Sequence, residues 1–194
     1  MKRLLVLAIL LCSSASADAA LTLKEIRTAS SNVLVAYFKS TTINANEVHT
    51  ADLAAWKLNG QPVTAINKFV TEADACDHHI YLQVPTLVHG TTYRLETPHG
   101  ETTFVFDDHK VFCESIKTNQ NAYSALSKVR YANFAIWLGD GGAKQIAASL
   151  PTYSVLRLSS GETVAQGTLR EIGKDASSGD FVYRIDLSAK PGWS

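Results

Sequence analysis

The sequence predicts an all-β protein in which two β-sandwiches follow one another after a cleaved signal peptide. Three observations support this fold class. Short β-branched and aromatic runs with a period of two recur after the N-terminal segment, and turn residues separate them. Only one brief stretch, TADLAAWKL, has a helical tendency. The 194 residues are sufficient for one large domain or two small ones.

The N-terminal segment, residues 1–19, has the parts of a secretory signal peptide. Lys2 and Arg3 provide the positive start, residues 4–12 are apolar, and residues 17–19 read Ala-Asp-Ala, which fits a cleavage site. The apolar run is shorter than the ~20 residues that a membrane-spanning helix needs. We therefore predict a secreted or periplasmic protein without a membrane span.

The first predicted sandwich covers residues 20–108. Asn59-Gly60 lies between two apolar runs and predicts a tight hairpin turn. Pro98 and Gly100 mark a second reversal, between YRLET and ETTFVF. Short strands separated by such turns are typical of a small sandwich. The clearest strand candidates are residues 32–38, 79–84, 91–97 and 101–106.

The second predicted sandwich covers residues 111–194, after the polar junction FDDHK. In the run FVYRIDL, Phe181, Tyr183 and Ile185 fall on one face, which predicts a half-buried antiparallel strand. Pro191-Gly192 normally precedes another element, so we expect this sandwich to be truncated and more chain to follow; the alternative is a frayed tail. The other strand candidates are VFCESIKTN, YANFAIWL, YSVLRL and ETVAQGTL.

Charge balance and motif content exclude several function classes. The chain has 18 basic and 18 acidic residues, whereas a nucleic-acid-binding protein shows a basic excess or stripe. The sequence GDGG at residues 139–142 lacks the Lys-Ser/Thr that completes a phosphate-binding loop. We therefore predict no nucleic-acid partner and no cofactor.

The acidic residues do not form a catalytic pattern. Turn aspartates usually bond their own backbone, and no Ser or Cys lies in a nucleophile elbow. We predict no catalytic residue in this chain. The acids in turn-like contexts are Asp107, Asp108, Asp140, Asp175 and Asp180.

The histidines do not have the spacing of a metal site. His78 and His79 are adjacent, and adjacent residues in a strand point to opposite faces, so they cannot both bind one ion without a bulge. His109 follows Asp107-Asp108, but no C-x-x-C or H-x-x-x-H pair accompanies these residues. We predict structural or solvated histidines and no metal site.

Two cysteines, Cys76 and Cys113, remain after removal of the signal peptide. In an oxidising compartment they are able to form one disulfide. The alternative is two buried free thiols, and the sequence leaves both open, because a bridge requires Cα atoms within ~7 Å.

Tryptophan side chains provide candidates for sugar stacking, since a flat aromatic ring offers a large apolar face. Trp56 precedes a hairpin turn and is the better candidate for an exposed ring. Trp137 ends a strongly apolar strand, a context that favours the core over a sugar-binding surface.

Three stretches of the second half carry a family resemblance: IKTNQNAYSALSKVRYANF, PTYSVLRLSSGETVAQGTL and SSGDFVYRIDLSAKPGW. They resemble the immunoglobulin-like domain at the N-terminus of family 9 glycoside hydrolases, which are mostly cellulases. Asn119, Gln120, Tyr123 and Lys128 match the opening of the family pattern, and Pro191-Gly192 matches its end. The loop WLGDGG is not part of that pattern. The first half is similar in rhythm to bacterial immunoglobulin-like modules.

The resemblance implies two tandem immunoglobulin-like sandwiches, the second packing against a C-terminal helical catalytic module that these residues do not contain. Asn119, Gln120 and Tyr123 would shape that packing edge, or alternatively only fix a local turn. The implied function is that of a non-catalytic accessory region of a secreted glycoside hydrolase acting on cellulose or β-glucan, which is a candidate ligand. The alternative is a stand-alone secreted glycan-binding or cell-surface protein.

Overall fold

The computed structural model describes residues 21–72, 76–119, 123–124, 126–146 and 149–188. These residues form antiparallel sheets with two short 3-10 helices, Leu53–Ala55 and Gly139–Gly141. The all-β prediction is confirmed. The proposed signal peptide lies outside the described residues. No helix within the described part of the chain is long and apolar enough to cross a membrane.

The first half is a sandwich of two four-stranded sheets. Its strands are β1 (Thr22–Ser30), β2 (Val33–Lys39), β3 (Lys57–Leu58), β4 (Gln61–Pro62), β5 (Ala65–Glu72), β6 (Cys76–Gln83), β7 (Thr92–Thr97) and β8 (Gly100–Val105). The strand orders in the two sheets are β1-β2-β6-β5 and β4-β3-β7-β8. Both predicted reversals are present: Asn59 and Gly60 turn with positive φ between β3 and β4, and β7 pairs with β8 from Thr97 and Gly100 onward.

Strand β2 is buried on both of its faces. Leu34 and Ala36 point into the core between the two sheets, whereas Val33 and Val35 belong to a separate buried cluster on the outer face. A strand covered on both sides has a continuous hydrophobic sequence instead of an alternating one. The run VLVAYF in β2 therefore requires that something cover the outer face of its sheet.

Trp56 lies in the centre of the first core, and the prediction that its ring is exposed for sugar stacking is wrong. Its exposed fraction is 0%. Its ring meets Phe38 edge-on, with centroids 6.1 Å apart, and its indole Nε1 donates a hydrogen bond to the His49 carbonyl at 2.9 Å. Neither face of the ring is available to a sugar.

The second half contains one four-stranded sheet, a hairpin and a small two-stranded ribbon. Its strands are β9 (Ile116–Lys117), β10 (Tyr131–Phe134), β11 (Ile136–Trp137), β12 (Ala143–Lys144), β13 (Thr152–Leu156), β14 (Thr163–Thr168), β15 (Arg170–Lys174) and β16 (Phe181–Asp186). The sheet has the order β15-β16-β10-β9, the hairpin is β13–β14 and the ribbon is β11–β12. Tyr183 and Ile185 are buried, as the alternation in β16 predicted, and Tyr153 of the hairpin packs against them.

The predicted single strand YANFAIWL is divided in the structure. β10 ends at Phe134, and the amide of Ala135 donates to the Ser115 carbonyl at 2.9 Å. Ile136 and Trp137 then pair with β12 instead of continuing the sheet. This break directs the following loop away from the second sandwich and onto the first.

Candidate functional site

The outer face of the β1-β2-β6-β5 sheet carries aligned rows of side chains. Val35 pairs with Tyr81, and in the next row on the same face Tyr37 pairs with His79. Since side chains alternate along each strand, this face is opposite to the one that forms the first core. It is the face on which residues of the second half lie.

The segment WLGDGG, residues 137–142, packs on this outer face. Leu138 is buried against Val33 and Val35, and Ile136 packs beside it. The Oδ1 atom of Asp140 accepts a hydrogen bond from the backbone amide of Lys68 in β5 at 2.8 Å. The loop outside the family pattern therefore joins the two halves.

Two glycines allow this loop to approach β5. Gly139 has φ +62°, and a Cβ atom at that position would overlap the carbonyl group of Lys68. A Cβ atom on Gly141 would press on the side-chain amide of Asn67. The glycines are thus explained by backbone conformation and close contact between strands and loop, without a phosphate ligand.

Glu114 lies over the polar rows of the same face. Its Oε1 is 2.7 Å from His79 Nδ1 and 3.2 Å from Arg27 Nη1, and its Oε2 accepts the Tyr81 hydroxyl at 3.0 Å. Arg27 also stacks on the Tyr37 ring, with its guanidinium carbon 4.1 Å from the centroid. One carboxylate from the second half thereby binds three side chains of the first.

The surroundings of Glu114 determine its protonation. Burial alone would raise the pKa of this acid, but the hydrogen bonds and charge of His79, followed by the bonds from Tyr81 and Arg27, hold its pKa below the ordinary value. Burial, with the Glu114 charge, raises the pKa of Tyr81. Glu114 is therefore a carboxylate that accepts a hydrogen bond from the neutral phenol of Tyr81.

The segment before β9 also bonds to β1, and this placement excludes the disulfide. Cys113 forms a parallel bridge with Thr28, which pairs with Leu34 of β2. The Cys76 carbonyl accepts the amide of Ser40, at the far end of β2. Ser40 lies six positions after Leu34, which is about 20 Å along a strand. A bridge needs Cα atoms within ~7 Å, so the disulfide alternative is wrong and both thiols are free.

Trp137 lies at the surface, so the preference for a core position is wrong. Its side chain is 38% exposed and meets Phe69 of β5 edge-on, with ring centroids 4.9 Å apart. Phe69 is itself 36% exposed. Of the two tryptophans considered for sugar stacking, Trp137 is the one with accessible ring surface.

Two of the residues expected to pack against a helical module, Asn119 and Tyr123, make local hydrogen bonds. Tyr123 donates its hydroxyl to the Tyr131 carbonyl, and that hydroxyl accepts the amide of Asn119 at 3.4 Å. These bonds agree with the local-turn alternative for Tyr123. Gln120 lies outside the described residues. A packing role for these residues remains a prediction.

Sequence reasoning missed the apolar residues of this loop. Leu126 is 92% exposed and Val129 is 64% exposed, and Tyr131 lies half-exposed at the start of β10. The signal was available in YSALSKVRY, where leucine and valine lie between polar residues without strand alternation. Large exposed apolar patches mark interaction sites, and these three side chains lie within six residues of one another along the chain.

Two of the turn aspartates, Asp175 and Asp107, bond their own turns as predicted, whereas Asp140 accepts instead from Lys68 of β5. Asp175 accepts hydrogen bonds from Ser177 and Ser178, first from the Ser177 hydroxyl, and these lower its pKa to about 2. Asp107 accepts the amide of His109 at 3.0 Å. These acids stabilise turns.

Histidine placement agrees in part with the sequence reasoning. His78 is buried in the first half and His79 lies on the outer face, as strand alternation required. Metal-binding groups do come together at one place in the described residues, where His89 joins Asp108 and His109. Sequence spacing gave no sign of this group, because His89 lies in another loop.

The chain is a pair of antiparallel β-sandwiches of the immunoglobulin-like type, and a loop and a shared ion cluster join them. Residues 112–192 match a family model, the cellulase N-terminal ig-like domain. This match confirms the resemblance for the second half. No curated protein and no solved structure matches the chain.

Proposed function

We propose that this chain is a non-catalytic accessory region of a secreted family 9-like glycoside hydrolase that acts on cellulose or a related β-glucan. The match of residues 112–192 to the cellulase N-terminal ig-like domain carries the proposal. In the proposed role, the second sandwich braces a helical catalytic module of the parent protein. The first sandwich supports the second through the WLGDGG loop and Glu114.

The exposed loop around Leu126 supports the bracing role. Leu126 and Val129 have no apolar cover from the described residues, and the loop is held in shape by the Tyr123 and Ser124 contacts to residues 130 and 131. A preformed apolar surface costs little conformational entropy when it docks. It therefore suits permanent packing against a neighbouring module.

An open sheet edge supports continuation of the second sandwich. Within the described residues, β13 pairs with β14 alone, and its other edge has no strand partner. Folded proteins usually cover or blunt such edges. We propose that chain following Gly192 adds strands there before the catalytic module begins.

The coding sequence after Ser194 provides the first test. A continuous reading frame for a helical module with an Asp-Ala-Gly-Asp-like motif is expected. In the parent protein, Leu126→Asp should lower the temperature at which cellulose hydrolysis is inactivated, because a charge enters the docking surface. Leu158→Asp is the matched control, since Leu158 is 88% exposed in the β13–β14 turn. A stop codon directly after Ser194 would instead favour the stand-alone alternative.

Direct glycan binding is a second candidate function, favoured by the exposed rings of Trp137 and Phe69. Two edge-on aromatic side chains at a surface offer an apolar face to a sugar ring. Trp137→Ala should reduce the fraction of protein that sediments with insoluble cellulose, whereas Phe112→Ala should not. Equal partition of wild type and Trp137→Ala would reject this candidate.

A further inference from the structure

Three side chains from two separate segments meet beside the junction between the halves. His89 lies in the loop between β6 and β7, and Asp108 and His109 lie in the turn after β8. The Asp108 Oδ1 atom is 2.6 Å from His89 Nδ1 and 3.4 Å from His109 Nε2. The three ligand atoms all lie within 4.8 Å of one another.

The backbone holds these two segments together. The amide of Gly90 donates to the Phe106 carbonyl at 2.8 Å, and the amide of Phe106 donates to the Thr91 carbonyl at 2.9 Å. This reciprocal pair fixes His89 beside the residues that follow Phe106. The side chains consequently converge without any rearrangement of the strands.

Asp107 shapes the turn that presents the other two groups. Its carbonyl accepts the amides of Lys110 and Val111, and its Oδ1 accepts the amide of His109. The Lys110 ammonium pairs with the second oxygen of Asp107 at 3.2 Å. Asp107 therefore pairs with Lys110. Its Oδ1 is also 3.8 Å from His89 Nδ1, but Asp108 makes the shorter contact with His89 and the contact with His109.

Small side-chain movements would fit these three groups to a small transition-metal ion. Metal–ligand bonds of about 2.0–2.1 Å in a tetrahedron place neighbouring ligand atoms about 3.3 Å apart. The separation of 3.4 Å between Asp108 and His109 agrees with that value, and the 2.6 Å separation from His89 would need to open by about 0.7 Å. All three side chains are about half exposed, so they can rotate and an ion can enter.

We propose that His89, Asp108 and His109 form a binding site for a divalent transition metal of the zinc class. Two imidazoles and a carboxylate suit zinc, copper or nickel, whereas calcium and magnesium prefer oxygen ligands. Three protein ligands leave a coordination position for water. The ion would tie the β6–β7 loop to the junction, and so would stiffen the connection between the halves.

Isothermal titration of the untagged protein with zinc chloride tests the proposal. We expect one equivalent to bind, and cobalt to give the visible absorption of a tetrahedral complex. His89→Ala, Asp108→Asn and His109→Ala should each weaken zinc binding by more than about tenfold, since loss of even an outer contact costs at least that much. Magnesium should not compete.

Two controls separate this site from other ligands. His49 and His99 also adjoin, with ring centroids 5.3 Å apart, but His99 Nε2 already accepts the His49 amide. His49→Ala should therefore bind zinc like the wild type, and Cys113→Ser should too. Absence of zinc binding by the wild type, unchanged affinity in His89→Ala, or loss in Cys113→Ser would overturn the proposal.

Discussion

The two sandwiches differ in how much buried surface each contains within itself. Among the described residues, the first encloses fourteen buried hydrophobic side chains between two four-stranded sheets, whereas the second buries four between one sheet and a hairpin. The second also contributes Leu138 to a cluster on the first. The first half is therefore a scaffold, and the second depends on neighbours for part of its burial.

The largest expected effect tests the two cores directly. Leu34→Ala in the first core should lower the free energy of unfolding by about 3–5 kcal/mol, because a closed core cannot collapse around the cavity. Leu169→Ala in the second core should lower the free energy of unfolding by only about 2 kcal/mol, since side chains at the open side of this core can move into the cavity. Urea unfolding followed by tryptophan fluorescence measures both. Equal losses would contradict the contrast between closed and open cores.

A smaller effect tests the contact between the halves. Gly139→Ala should lower the free energy of unfolding by about 2–3 kcal/mol, because it combines backbone strain with a clash against Lys68. Gly161→Ala is the matched control: its φ is +72°, but no atom lies near its added Cβ, so only about 1 kcal/mol of strain is expected. Faster hydrogen exchange at the Lys68 amide in Gly139→Ala alone would locate the damage at the interface.

The smallest effect concerns the ion cluster and its pH dependence. Glu114 has a folded-state pKa below its ordinary value of 4.5. The stability that it contributes is therefore fully present above that pH and is lost as the pH falls through the folded pKa. Glu114→Gln should cost about 1–3 kcal/mol at neutral pH, and should reduce the loss of stability in acid. Denaturant titrations at pH 7 and pH 3.5 measure both the loss of stability at neutral pH and the further loss in acid. If Glu114→Gln lost as much unfolding free energy between pH 7 and pH 3.5 as the wild type, Glu114 would not be a cause of the acid sensitivity.

Strand positions were predictable from the sequence because alternation reports burial on one face. The hairpin at Asn59-Gly60 and the inward face of β16 followed from local residues alone. Trp56 was misplaced because proximity to a turn says little about which face a short strand buries. The missing information was the register of β3 against β7, which is a long-range property.

The contacts between the halves could not be predicted, since they join distant segments. Leu138 and Glu114 act on residues of β2 and β6 that lie far away in sequence. One local signal did exist: the non-alternating run VLVAYF indicates a strand covered on both faces, and so implies a cover. The pairing of His89 with Asp108 had no local signal at all.

The double-sided burial of β2 has a practical consequence for anyone who dissects this protein. Cleaving the chain between residues 108 and 111, where composition suggests a boundary, would strip Leu138 and Glu114 from the outer face. Val35 and Tyr81 would then meet water as an uncovered apolar strip, and the fragment would be prone to self-association. The smallest piece that retains its cover must extend at least through Gly142.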